Sequence, residues 1–434
     1  MAKPGHQSKQ AHLSKPAHQS KPAHLRASDL PALGRLAIAA TLGVTDLVEL
    51  MHKTILQTPS PLGKPVVGTT GGITGLVYRS VRGVTRLVGG SLDVVLKPLV
   101  PLLQPMLGER HASPEREAVQ AALNGVMGDL LAASANPLAI AMQVRHQGQA
   151  LPLTKAALAA ALPRANGKLL LLAHGLCMND LQWQRQGHDH GAMLAQDLGY
   201  TPIYLHYNTG LHIASNGQTL AALLQTLTQQ WPVPLHDFAI VGHSMGGLVA
   251  RSAVHQGLAA GYSWPSQLRK LVFLGTPHHG APLERGGHWI DLILGVSPYS
   301  APFVRLGQLR SNGIMDLRYG SVHQDDWQGR ERSRTARSAR VAVPLPDGVT
   351  CYAVAATTGK EPGDLKDRLL GDGLVPLASA LGQHTRPELS LSIAPRRQWI
   401  ARDTNHMDLL NRTSVYQRLH RWLAPTPGSA QYGR

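Results

Sequence analysis

Five short apolar runs recur along the chain: Leu169–Leu172, Ile203–Leu205, Phe238–Val241, Leu271–Leu274 and Cys351–Val354. Stretches of helical periodicity separate them. A strand that is apolar on both faces must be covered on both, and parallel neighbours need a crossover, usually a helix. The alternation therefore predicts an α/β fold, a mostly parallel central sheet with helices on both faces. With 434 residues, 43% of them apolar, the chain is long enough for a large core.

The flanking pattern refines this expectation. Met142 and Val144, then Leu151 and Leu153, alternate around His146-Gln-Gly-Gln149, which predicts a β-hairpin. Helices are expected over Lys155–Leu162 and Val415–Leu423, and Ser215…Gln218 has the spacing of a capping box opening another. Residues 27–137 read as a helical N-terminal region: Leu36, Ala40, Leu47 and Leu50, then Val77, Val81, Val84 and Val88, recur at helical spacing. Ser113-Pro114-Glu115 is a helix start. The organisation expected is thus a tail over 1–26, the helical region over 27–137, an α/β domain over 138–424 and a short tail over 425–434.

Charge is concentrated. Lys plus Arg is 42 against 26 for Asp plus Glu, a net +16. Residues 1–26 carry five cations and no acid, in a six-residue repeat that begins His6-Gln-Ser-Lys9. Such a composition cannot bury enough apolar area to offset ordering entropy, so a disordered tail is expected. Residues 330–340 hold five arginines against Glu331. Both segments suit either solvated surface or peripheral contact with an anionic membrane or granule. No zinc finger, basic zipper or RNA-binding signature is present, so no specific nucleic acid is expected. The start is polar for 24 residues, and Asp93, Lys97 and two prolines interrupt the apolar stretch Leu87–Leu103. Neither a secretory signal nor a spanning helix is expected, and a cytoplasmic or peripheral location follows. Cys177 and Cys351 are too few for a disulfide framework and read as small buried residues.

The chemistry begins at Gly242-His243-Ser244-Met245-Gly246-Gly247, directly after the apolar run ending at Val241. G-x-S-x-G between strand and helix is a nucleophile elbow: serine sits on a strained turn whose neighbours must lack side chains, here Gly242 and Gly246. Serine needs a base, and the base needs an orienting acid. In the chain order Ser, acid, His, the base is His406 and the acid is Asp372, in a glycine-flanked loop; Asp403 and Asp408 are rivals next to the base. An oxyanion hole needs two backbone N–H groups. Met245, after the nucleophile, supplies one. Leu176, after His174-Gly175 at the end of an early strand, supplies the other, with His174 bracing the loop. His278 and His279 lack a spaced ligand set, so no metal and no cofactor is expected.

His174-Gly175-Leu176, the elbow, Leu274-Gly-Thr-Pro-His-His-Gly280, Asp372-Gly-Leu-Val-Pro and His406 together resemble bacterial lipases and esterases of the α/β-hydrolase superfamily. The chain is similar to the lipase-like group that includes GPI inositol-deacylases. The resemblance covers about 138–424 and implies a Ser244–His406–Asp372 triad acting on acyl esters, lipid-like ones included. The same triad serves acyl transfer and thioester hydrolysis, and a surface-binding protein is the alternative outside enzymes. An insertion over 283–345 is expected as a mobile lid or a packed cap.

Overall fold

The computed structural model describes residues 114–281, 311–327, 340–361 and 371–425. The repeat tail, residues 27–113, most of the insertion, the arginine run up to 339 and residues 426–434 lie outside the described residues.

The elements follow in order: helix α1 (Pro114–Ala133), strands β1 (Gln143–His146) and β2 (Gln149–Ala150), α2 (Lys155–Ala161), β3 (Lys168–Ala173), α3 (His190–Leu198), β4 (Thr201–His206), α4 (Ile213–Gln230), β5 (Asp237–His243), α5 (Met245–Ala259), α6 (Trp264–Gln267), β6 (Leu268–Leu274), α7 (Asn312–Tyr319), β7 (Thr350–Ala356), α8 (Leu377–Ala380), β8 (Gln398–Ala401) and α9 (Thr413–Leu423). The eight strands form one sheet in the order β2-β1-β4-β3-β5-β6-β7-β8. Strand β1 runs antiparallel to both β2 and β4; the six strands from β4 to β8 are parallel. This is a mostly parallel α/β sheet with helices on both faces, as the alternation predicts. Each of the five apolar runs lies inside a strand, and the expected hairpin forms, with Gln147 (φ 50°) and Gly148 (φ 75°) at its tip.

The period of two sorts each strand between two cores. Leu169 and Leu171 of β3 face the layer holding Leu220 and Leu224 of α4 and Leu248 and Val249 of α5. Leu170 and Leu172 face the other layer, with Leu194 of α3 and Val415 and Leu419 of α9. All four leucines are fully buried. No helix among the described residues is long and apolar enough to cross a membrane.

One helix start differs from expectation. Helix α4 begins at Ile213, so Ser215 lies inside its first turn rather than capping it. The cap comes from far away: Asp316 of α7 accepts the Ile213 N–H at 2.8 Å and lies 3.0 Å from His212 Nδ1. A remote carboxylate satisfies the helix end as well as a local one and also complements its dipole. Helix α5 begins at Met245, directly after Ser244.

Helix α1 starts at Pro114, as expected, and packs tightly on the domain. Asn208 Nδ2 donates to the Gly128 carbonyl at 2.9 Å, and Ser311 Oγ donates to the Gly125 carbonyl at 2.6 Å. A Cβ at Gly125 would lie 2.2 Å from Cys177 Sγ and 3.0 Å from its Cα. Gly125→Ala is therefore expected to cost about 1–3 kcal/mol through overpacking, read as a lowered urea midpoint with an unchanged m-value.

Candidate active site

In register, Ala173 pairs with Gly242, His243 with Leu274, and Leu274 with Val354. The loops after β3, β5, β6 and β7 consequently meet at one edge of the sheet. Ligands of open α/β sheets bind outside the carboxyl ends of the strands.

Ser244 stands between β5 and α5 with φ 54° and ψ −123°, a conformation rare for any residue but glycine. The turn is held by the Ser244 N–H donating to the Leu274 carbonyl at 2.8 Å. Its tightness explains the glycines. A Cβ at Gly242 would lie 2.5 Å from Gly247 Cα, and one at Gly246 would lie 2.2 Å from the Ala173 carbonyl oxygen. Ser244 is 7% exposed, and its Oγ makes no hydrogen bond among the described residues.

His406 and Asp372 are brought together. The His406 Nδ1–H donates to Asp372 Oδ2 at 2.6 Å, and both residues are buried. The other carboxylate oxygen, Oδ1, accepts the N–H groups of Leu374 (3.0 Å) and Val375 (2.8 Å). Gly371 (φ 55°) and Gly373 (φ 96°) permit the turn that aims these amides. With the proton on Nδ1, the Nε2 lone pair of His406 is free to accept one. The rival acids do not reach the imidazole: Asp403 pairs with Arg412 at 3.4 Å, and Asp408 accepts the Asn405 N–H.

The elbow touches His406 directly. His243 Nε2–H donates to the His406 carbonyl at 3.2 Å, with ring centroids 4.7 Å apart. Burial, and then the neighbouring His406, hold the His243 imidazole neutral by pushing its pKa well down. At Gly275, just after β6, a Cβ would meet the His406 ring at 3.1 Å. Ser244, His243 and His406 thus share one small volume.

The loop after β3 lies over the serine. A Cβ at Gly175 would approach Ser244 Cβ at 3.0 Å. His174 braces this loop: its Nδ1–H donates to the Gly175 carbonyl at 2.9 Å, and its ring stacks on Tyr207 at 4.5 Å. Burial drives its pKa down to about 3, so it is a neutral brace rather than a titrating group. Cys177 follows with φ 60°, its N–H donating to Thr209 Oγ1 at 3.1 Å. Burial pushes its thiol up to about 12, which leaves no nucleophilic thiolate. The N–H groups of Leu176 and Met245 make no hydrogen bond among the described residues.

One cluster escaped the sequence reading. Ligand atoms of Glu117, Asp180 and His206 lie within 4.8 Å of one another. Arg145 Nη1 already bonds both carboxylates, at 2.7 and 3.2 Å, so the resident cation is a guanidinium. Its members come from α1, β1, β4 and the turn after β3, with no spacing to flag them. A groove of about 730 Å³ lined by Asn166, Gly199 and Thr201 sits at the opposite, N-terminal ends of β3 and β4, away from Ser244.

The model of a domain of unknown function, DUF7379, matches residues 140–301. No curated protein matches the chain. Among solved structures, the chain is similar to the mature lipase BlEst2 of Bacillus licheniformis, at 17% identity and TM-score 0.38, over 60% of this chain and 94% of that one. It is also similar to a lipase-esterase related protein from Clostridium acetobutylicum, at 13% identity and TM-score 0.32, over 65% and 98%. The esterase Pf2001 of Pyrococcus furiosus gives 13% and 0.36, over 60% and 81%.

Proposed function

We propose that this protein is a serine hydrolase of carboxylic esters. The observation that carries the reading is the buried Asp372–His406 pair beside a strained Ser244 elbow. In this reading His406 Nε2 takes the Ser244 Oγ proton as Oγ attacks the ester carbonyl. Charge develops on the carbonyl oxygen and is met by the N–H groups of Leu176 and Met245 and by the N-terminal end of α5. Collapse of the tetrahedral intermediate expels the alcohol, which takes the proton from His406, and leaves an acyl-enzyme. Water then attacks the acyl group while His406 accepts its proton. The second collapse releases the acid and returns the proton to Ser244. The chemistry needs no cofactor. The resemblance to lipases and esterases extends the proposed substrate class to lipid-like acyl esters.

The test is hydrolysis of p-nitrophenyl esters from acetyl to palmitoyl by the full-length protein, with labelling by a fluorophosphonate. Turnover with a chain-length optimum and a label on Ser244 are expected. A label on any other residue, or none alongside no turnover at every chain length, overturns the reading.

A further inference from the structure

Beneath the loop after β6 lies a group of buried cations that the proposed ester chemistry does not use. Arg251, on α5, is 3% exposed. Its Nη1 donates to His278 Nδ1 at 3.2 Å. Arg340, where the chain returns from the insertion, sends Nη2 to the carbonyl oxygen of the same His278 at 2.9 Å. Two guanidinium groups therefore converge on one residue. Among the described residues, no carboxylate lies within ion-pair distance of either. The acid whose field reaches both is Asp326, yet its oxygens are occupied by the N–H groups of Val322, His323 and Val341.

The three orphaned atoms on these side chains are all donors. Arg251 Nε and Arg340 Nε are buried without partners, as is His278 Nε2. Since His278 Nδ1 accepts from Arg251, the ring proton is on Nε2, and that atom too is a donor. Buried polar groups are normally satisfied, and buried charges are normally paired, because desolvation without a partner is costly. Here the missing partner is an acceptor, and beside two permanent cations the fitting acceptor is an anion. Guanidinium forks match phosphate as well as carboxylate geometry, and the chain offers no carboxylate here among the described residues. Half-buried His279 and His384 meet edge-to-face with ring centroids 4.8 Å apart, and the field of exposed Arg386, itself paired with Glu388, reaches Arg340.

We propose that Arg251, Arg340 and His278 form a binding site for a phosphate-type oxyanion, either free phosphate or a phosphomonoester. Occupancy would tie α5, the loop carrying Gly275 and the end of the insertion into one unit.

The experiment is calorimetric titration of the full-length protein at constant ionic strength, with inorganic phosphate, glycerol 3-phosphate and chloride as separate titrants. Saturable one-to-one binding of phosphate is expected, with no saturable chloride heat. Affinity should fall at least about tenfold in Arg340→Gln and in Arg251→Gln, the usual loss for a charged hydrogen bond. Saturable binding of the monoester as well as phosphate assigns the pocket to a phosphorylated ligand; phosphate alone assigns it to the free ion. Arg251 is buried, so its variant is first checked by thermal melting, while half-buried Arg340 keeps the test decisive if Arg251→Gln unfolds. No saturable phosphate heat in the wild type, or equal affinity in folded Arg340→Gln, overturns the site.

Discussion

Ser244→Ala is expected to lower kcat by about 10⁶-fold, to near the level that binding and oxyanion stabilisation alone provide. The expectation rests on there being no substitute nucleophile at this edge among the described residues. Burial pushes the Cys177 thiol up to about 12, and His174 and His243 are held in place by hydrogen bonds to the Gly175 and His406 carbonyls. The loss should be chemical rather than structural. Ser244 Oγ has no partner among the described residues, so its removal leaves no buried group unsatisfied, and the strained φ of 54° suits Ala no worse than Ser. Melting should stay within about 2 °C of wild type, since deleting one unbonded hydroxyl changes stability by a few tenths of a kcal/mol. Steady-state kinetics on the best p-nitrophenyl ester, alongside a melt, checks both halves. A folded Ser244→Ala protein that keeps more than about one per cent of wild-type turnover would exclude the acyl-enzyme mechanism, because loss of a triad serine removes several orders of magnitude more than that.

The sheet was legible because its strands are apolar on both faces. Leu169–Leu172 needs no context to be recognised: four consecutive leucines are tolerated only where both faces are covered, as β3 is. The elbow was legible because the strain at Ser244 demands glycine at fixed offsets, and steric demands leave a local trace. What stayed hidden was contact between residues far apart in sequence. Asp316 caps a helix 103 residues before it, and His278 joins Arg251 and Arg340 with no shared spacing. Helix α1 is an intermediate case. Gly125 and Gly128 lie about one turn apart, and only the fold shows that Cys177 and Asn208 approach them. That contact gives the helix a role: it backs the residue following Leu176, and so bears on the proposed oxyanion hole.

Asp372→Asn should lower kcat by about 10⁴-fold, with KM little changed, since this is the scale seen when a triad acid is replaced by its amide. The substitution is nearly isosteric. The amide oxygen can keep the bonds from Leu374 and Val375 N–H that Oδ1 now accepts. What changes is the other position. An NH₂ group facing His406 Nδ1 is a donor, so the imidazole must turn its lone pair toward it and carry its proton on Nε2. That tautomer cannot accept the Ser244 proton, and the imidazolium formed during attack loses its buried counter-charge. The same measurement on Asp403→Asn and Asp408→Asn separates the three acids. Asp403 faces solvent beside Arg412, and half-buried Asp408 accepts a local amide, so neither replacement should change kcat by more than about twofold. An Asp372→Asn enzyme that retains activity while Asp403→Asn or Asp408→Asn loses it would move the role of the acid to the loop beside His406. The 2.6 Å bond from His406 to Asp372 would then be a structural contact only.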